Sequence, residues 1–244
     1  MKDFFTALQF LTRIRVVTEH DWSPAGFGRS VKYFTLIGAV IGFVLSGLCY
    51  LLSPFLPSHA LAVIIILTEV VLTGGLHCDG LMDTADGVFS GRSRERMLEI
   101  MKDSRVGANG VVAFVLLILL KYSFIVDMPQ AMLMTALFVM PVAGRLAMVI
   151  SITSFPYARP DGIGKAFAQF AGRTTVVIAT VFALAVVAPF GLEVLLSVGG
   201  AVLAGVLSAR YLAGVLGGLT GDTYGAVTEF AELTTLLAFV LWIK

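Results

Sequence analysis

The side chains best suited to chemistry in this chain lie between positions 77 and 105. Asp79, Asp83 and Asp86 are followed by Glu99 and Asp103, so that seven of the 16 acidic residues (with Glu69 and Glu95) fall within a short stretch of a very apolar sequence. In a helix the first three are spaced i, i+4, i+7, which confines them to an arc of about 60° at 3.6 residues per turn. Glu99 and Asp103 repeat the i, i+4 spacing on the segment that follows. Carboxylates so close repel one another and must be hydrated, paired or bound to a cation. Oxygen-only ligands suit Mg²⁺, or Mn²⁺, better than zinc. Two helical segments could therefore clasp such an ion, with Asp79, Asp83, Asp86, Glu99 and Asp103 as ligands and His77 either joining or supporting them. The competing reading is a solvated helix end. Against it stand Gly80 and Gly87, which weaken a helix while letting backbone or ligand approach closely.

A divalent cation beside basic side chains points to phosphoryl chemistry, in which metal neutralises phosphate oxygens and the leaving group. Arg92, Lys102, Arg105, Arg145 and Arg159 are the candidates to grip a diphosphate, by paired guanidinium hydrogen bonds or as an ammonium point charge. Anchoring to lipid headgroups is their alternative role. Asp222, Glu229 and Glu232, at i, i+7 and i+10, share roughly one helical face. They either complete a metal or substrate site or form buried ion pairs with Arg13 or Arg145. Gly217, Gly218 and Gly221 either admit phosphate to backbone amides or pack helices tightly. Tyr33, Phe34, Phe155 and Tyr157 either stack on a substrate ring or anchor the protein at the membrane interface. Glu69, inside an apolar run, is expected to pair within the protein.

The elements that carry these residues are read from composition and hydropathy. The 244 residues are 58% hydrophobic and only 14% charged, with mean hydropathy +0.93 and net charge +1. Soluble domains carry about 25% charged residues, so the chain reads as all-α, a polytopic membrane helical bundle forming one domain over residues 1–244. Its charge balance offers nothing to nucleic acid. Two cysteines, Cys49 and Cys78, make neither a disulfide framework nor a Cys-rich zinc site, and the N-terminus lacks the pattern of a cleaved signal peptide. Apolar runs of spanning length, about 17 to 25 residues, fall at roughly 33–53, 58–76, 109–126, 131–153, 174–191, 194–216 and 227–243. Of 17 basic residues, only Lys121 and Lys244 are assigned to the face opposite the rest. The positive-inside rule then places the N-terminus and all polar motifs on the cytoplasmic side. A one-sided cluster suits an enzyme better than a cation transporter, whose polar groups would sit near mid-membrane.

Three strings in order are similar to the cobalamin synthase family, the adenosylcobinamide-GDP ribazoletransferases. They are Gly74-Gly75-Leu76-His77-Cys78-Asp79-Gly80-Leu81-Met82-Asp83-Thr84-Ala85-Asp86-Gly87, the run from Arg96 to Gly107, and the run from Gly217 to Ala226. Phe10 to Ile14, Gly144-Arg145 and Phe155 to Arg159 extend the likeness over most of the chain. The resemblance implies a Mg²⁺-dependent transferase of the inner (cytoplasmic) membrane. It would join adenosylcobinamide-GDP to α-ribazole, or α-ribazole 5′-phosphate, and release GMP. On this reading Asp79, Asp83, Asp86 and Glu99 hold one or two ions at the diphosphate and Asp103 is the general base. Arg13, His77, Lys102, Arg105, Arg145, Arg159, Asp222, Glu229 and Glu232 then contact substrate. Self-association, or association with other enzymes of the pathway, stays open. Asp83-Thr84-Ala85-Asp86-Gly87 with Glu99 and Asp103 also resembles part of the CDP-alcohol phosphotransferase signature, which leaves a lipid-synthesising enzyme as the alternative.

Overall fold

The computed structural model describes residues 2–16 and 23–242. In chain order its helices are α1 (Lys2–Leu11), α2 (Pro24–Ser30), α3 (Phe34–Leu52), α4 (Ser58–Thr73), α5 (Leu76–Val88), α6 (Arg94–Ile100), α7 (Ala108–Asp127), α8 (Gln130–Ser154), α9 (Ile163–Phe170), α10 (Arg173–Val187), α11 (Leu192–Leu216) and α12 (Gly221–Trp242). Among the described residues there is no strand beyond an isolated bridge between Tyr157 and Leu219. Among the described residues, six helical stretches are long and apolar enough to cross a membrane, and α4 with α5 makes a seventh if the pair counts as one bent span. Large apolar side chains such as Phe43, Leu67, Leu116, Val181 and Leu203 stay exposed on the outer faces. Lipid tails are as apolar as these side chains, so their exposure there carries no penalty.

The expected span at 58–76 differs most. The helix stops at Thr73 and the chain turns by 89° into α5. Gly74 and Gly75 both take left-handed φ values, +67° and +71°, a region closed to most side chains. Residues 77–87 thus form a separate helix rather than a continuation of α4. Arg13 secures the corner: its backbone N–H donates to the Leu72 carbonyl at 2.7 Å. A Cβ on Gly74 would collide with its guanidinium.

Close packing sets the rest of the bundle. The most extensive helix contact is that of α3 with α8. Gly38 and Gly42 lie four apart at this crossing, and a Cβ on either would run into the backbone of Pro141 or Phe138. This is the small-residue spacing by which membrane helices approach closely. Because successive spans alternate in direction, α1 and α2, the α5–α6 region, α9 and the 217–220 turn gather at one end of the bundle. Turns at 53–57, 128–129 and 188–191 close the other end.

Lys121 departs from its expected place. Assigned by charge counting to the opposite surface, it is instead 2% exposed, inside the bundle. Lys244 lies outside the described residues.

Candidate active site

The polar end of the bundle is built around the crossing of α5 and α12. Glycine permits that crossing. A Cβ on Gly80 would stand 2.6 Å from the Asp222 carbonyl oxygen, and one on Gly225 would stand 3.1 Å from His77 Cα. Two helices in backbone contact bring their carboxylates together: Asp83 faces the negative charges of Asp222, Asp79 and Asp86 and the positive charge of Arg159. Asp79 is exposed, Asp83 half-buried and Asp86 buried. The first turn of α12 is held by a reciprocal cap. The Thr220 N–H donates to Thr223 Oγ1 at 2.8 Å, and the Thr223 N–H to Thr220 Oγ1 at 3.2 Å, satisfying amides that a helix start leaves open. Gly80→Ala is expected to destabilise the fold by about 1 to 3 kcal/mol, as overpacking does. Turnover should fall further than that loss alone explains, because the methyl must displace Asp222. Comparing the detergent melting temperature with activity checks this.

Arg159 arrives on a segment pinned to the 217–220 turn. The Ala158 N–H donates to the Leu219 carbonyl at 2.7 Å, and the Leu219 N–H to the Pro156 carbonyl at 2.8 Å. Gly218 has φ +149°, and a Cβ there would meet the Pro156 carbonyl oxygen at 2.7 Å, so the two segments close up only over glycine. The Arg159 guanidinium then reaches Asp222 at 2.7 Å.

Asp86, Glu99 and Asp103 line an adjoining cavity of 270 Å³ together with Arg96 and Arg105. The Asp86 carboxylate accepts from the Gly107 N–H at 2.7 Å and the Gly110 N–H at 2.8 Å. It lies at the start of α7, where a negative charge is favoured by the helix dipole. A Cβ on Gly107 or Gly110 would strike that carboxylate. Glu99 pairs with Arg96 at 2.7 Å. Asp103 accepts from Arg105 Nε at 3.0 Å and Nη2 at 2.6 Å, and this hydrogen-bonded guanidinium lowers its carboxyl to about 2. Arg92 and Lys102 are exposed and line neither this cavity nor the two that flank Asp79.

Of the cavities flanking Asp79, one measures 660 Å³ and has Arg13 and Arg15 on its wall. The other, 260 Å³, lies between α5, α9 and α12.

Deeper in the bundle is an ion cluster that spacing alone did not resolve. Lys121 Nζ stands 3.0 Å from both oxygens of Glu69 and 2.7 Å and 3.0 Å from oxygens of Glu229 and Glu232. Glu232 also pairs with Arg145, whose guanidinium approaches His77 Nδ1 at 3.4 Å. The Cys78 thiol donates to Glu229 at 3.3 Å. Glu69, Glu229 and Glu232 offer oxygens within 4.8 Å of one another, close enough to hold a metal ion, and the Lys121 ammonium sits among them. Glu69 is thus paired inside the bundle, and for Glu232 the ion pair with Arg145 is the geometry found. Sequence reasoning missed Lys121 and Tyr224. A lysine in the middle of an apolar run was the available signal for the first; for Tyr224 it was its place in the run from Gly217 to Ala226, two residues after Asp222. Tyr33 packs edge-on against Phe4 and stacks with Phe182, and Phe34 is fully buried beside Phe10. Phe34 belongs to the core, and Tyr33 packs against it half-buried.

A polytopic helical membrane protein whose carboxylates and guanidinium groups converge at one end of the bundle has the layout of an integral membrane enzyme acting on a charged substrate. The chain belongs to the cobalamin-5-phosphate synthase family, whose model matches residues 3–240. Among curated relatives, the adenosylcobinamide-GDP ribazoletransferase of Desulforamulus reducens is 44% identical over 214 residues, covering 87% of this chain and 86% of the relative. The proteins of the same name from Acetivibrio thermocellus and Thermoanaerobacter pseudethanolicus are 35% and 37% identical, each over 244 aligned residues. The first alignment covers 99% of this chain and 98% of the relative, the second 98% and 97%. No solved structure matches the chain.

Proposed function

We propose that this protein is an adenosylcobinamide-GDP ribazoletransferase of the cytoplasmic membrane, with its charged end toward the cytoplasm. It would couple the phospho-cobinamide group to α-ribazole or its 5′-phosphate and release GMP. The observation that carries this reading is the convergence of Asp79 and Asp83 with Asp222 and Arg159 at the α5–α12 crossing, in a chain whose relatives bear that name. Three carboxylates against one guanidinium leave a surplus of negative charge with oxygen donors only, a set that fits Mg²⁺. Asp83 and Asp222 would hold it. When bound, Mg²⁺ would offset the charge of the phosphate oxygens and of the departing GMP.

The remaining roles follow from the cavities. Arg13 and Arg15, on the wall of the 660 Å³ cavity, receive the phosphates of the activated corrinoid. Asp79 borders both this cavity and the smaller one, so it can take the proton of a ribose hydroxyl arriving from one side as the diphosphate lies on the other. The oxygen of that hydroxyl bonds to the phosphorus on the cobinamide arm, and the bond to GMP breaks. Asp86, Glu99 and Asp103, candidate metal ligands by spacing, border the adjoining cavity; there Arg96 and Arg105 can exchange a carboxylate for a nucleotide phosphate.

Asp103, the base suggested by the resemblance, fits that task poorly while Arg105 holds its carboxyl near 2, because a general base works best with a pKa near the operating pH. A depressed pKa means that the pair forms fully above the unfolded value of about 3.9 and is lost only as pH falls through the folded value. Between about pH 5 and pH 9 it therefore does not titrate. Asp103→Asn is expected to keep kcat within about fivefold of the parent, the scale of an exposed ion pair. A loss of about 10²- to 10⁴-fold at unchanged KM would instead assign it the base role.

The whole reading is tested by mixing detergent-purified protein, Mg²⁺, adenosylcobinamide-GDP and α-ribazole. Metal-dependent GMP release is expected, and no release with authentic substrates would overturn it.

A further inference from the structure

We propose that the 260 Å³ cavity between α5, α9 and α12 seats the heteroaromatic base of the acceptor nucleoside, with His77 Nε2–H and the Tyr224 hydroxyl supplying its polar contacts. This rests on the transferase reading above and adds to it which cavity takes which substrate. The walls are aromatic: Phe10, Tyr157, Phe167 and Tyr224 all line the cavity. Phe10 and Phe167 meet edge-on at 5.0 Å, and Tyr157 and Tyr224 are tilted at 6.5 Å. Flat apolar walls accept a planar ring by stacking. Ligand pockets usually span about 300 to 1,000 Å³, so 260 Å³ suits a bicyclic ring and excludes a corrin macrocycle.

The polar atoms around this cavity narrow the choice of ring. His77 Nε2, Tyr224 Oη and Arg159 Nε are buried without a hydrogen-bond partner, and His77, Tyr224 and Arg159 all line the cavity. His77 is 1% exposed and Tyr224 2%. Buried polar atoms are almost always satisfied, and these three belong to side chains of one cavity wall; the atoms themselves are closed to solvent, so a seated ring reaches them by parting that wall slightly. What they need can be deduced. Arg145 Nη2 faces His77 Nδ1 at 3.4 Å, and a guanidinium only donates. Nδ1 is therefore the acceptor and the ring proton sits on Nε2. Arg159 Nε also can only donate. The ligand must bring acceptors to these donors on an otherwise apolar ring.

A glycosylated benzimidazole does so with its ring and its sugar together: the second ring nitrogen carries no N–H and offers one in-plane lone pair, which takes the His77 proton, and the ribose oxygens are left to the Tyr224 hydroxyl and Arg159 Nε. Guanine carries acceptors too, O6 and N7, so it is the separate response of the two substrates in the experiment below that tells one base from the other. Asp79 and Asp222 also line this cavity, so a sugar attached to a base seated here presents its hydroxyls to the carboxylates.

The test uses the full-length protein in detergent with Mg²⁺. It compares α-ribazole with the indole ribonucleoside in which the acceptor nitrogen is replaced by CH. The parent should prefer α-ribazole by about tenfold in kcat/KM, the worth of one such hydrogen bond. In His77→Asn, which keeps an oxygen to face Arg145, the preference should fall below about twofold. Tyr224→Phe, which removes one hydroxyl and nothing else, should weaken α-ribazole binding by about three- to tenfold and leave the KM for adenosylcobinamide-GDP unchanged. A preference retained in His77→Asn together with unchanged α-ribazole binding in Tyr224→Phe would overturn the assignment, as would a KM change confined to the corrinoid. If the parent protein releases no GMP at all, the transferase reading fails by itself. Equilibrium binding of α-ribazole to parent and Tyr224→Phe protein then still decides the cavity: about three- to tenfold weaker binding in the variant supports it, and equal or absent binding ends it.

Discussion

Replacing Asp83 by asparagine should lower kcat for GMP release by about 10³-fold, while the protein stays folded in the membrane and becomes no less stable. The two parts have one cause. Asp83 is half-buried and faces the like charges of Asp222, Asp79 and Asp86, with Arg159 as the opposite charge beside it. Such crowding is tolerable where a cation is to be held and unfavourable where none is present. Asparagine keeps the shape and one carbonyl oxygen but removes the charge. The charge stabilisation that a bound metal supplies is worth several kcal/mol, and about 4 kcal/mol at 1.36 per tenfold gives the stated loss. In the protein without metal the same change relieves repulsion, so the melting temperature should hold or rise. A residue that served only the fold would lower both together. Turnover within tenfold of the parent would remove Asp83 from the reacting centre.

How much of this could be read from the chain depended on the range over which each residue finds its partners. The apolar runs were legible because each helix answers to its own local hydropathy, and α7, α8 and α11 begin and end within about two residues of the expected limits. The break at Gly74-Gly75 was not read, since two glycines in sequence do not state the angle at which a chain leaves a helix. The arc of Asp79, Asp83 and Asp86 follows from helical geometry alone. Its division among a cavity edge, a half-buried crossing and a buried helix start does not, because the Asp86 partners Gly107 and Gly110 lie 21 and 24 residues away. Longer range hides more. Arg145 and Glu232 are 87 positions apart, Lys121 and Glu232 are 111 apart, and no local pattern reports such pairings. Charge counting moved Lys121 to the wrong place for the same reason: the rule assumes that a basic residue lies near the end of its span, and it has no means of seeing three carboxylates inside the bundle.

Those three carboxylates make Lys121 the position where substitution should harm the fold most. Lys121→Met keeps an unbranched side chain of similar length and deletes one charge. Among the described residues, Glu69, Glu229 and Glu232 are then left with Arg145 as their cation, and Arg145 pairs with Glu232. Breaking a buried pair by removing one partner costs about 3 to 5 kcal/mol, far more than the pair contributes over a well-packed apolar substitute. Lys121→Met should therefore give little folded protein, seen as aggregation on gel filtration in detergent and a much lower melting temperature. The cause is separable from packing. If uncompensated charge is at fault, adding Glu69→Gln or Glu229→Gln to Lys121→Met should restore folded protein, because each removes one stranded carboxylate and keeps its volume. The restoration should exceed the effect of either glutamine alone, since contacting residues couple. Lys121→Arg should not substitute well: a planar guanidinium cannot occupy the point where three carboxylates converge on one ammonium. A fully stable Lys121→Met protein, or double variants no better than the single one, would mean that the cluster is held by its surroundings and not by the lysine at its centre.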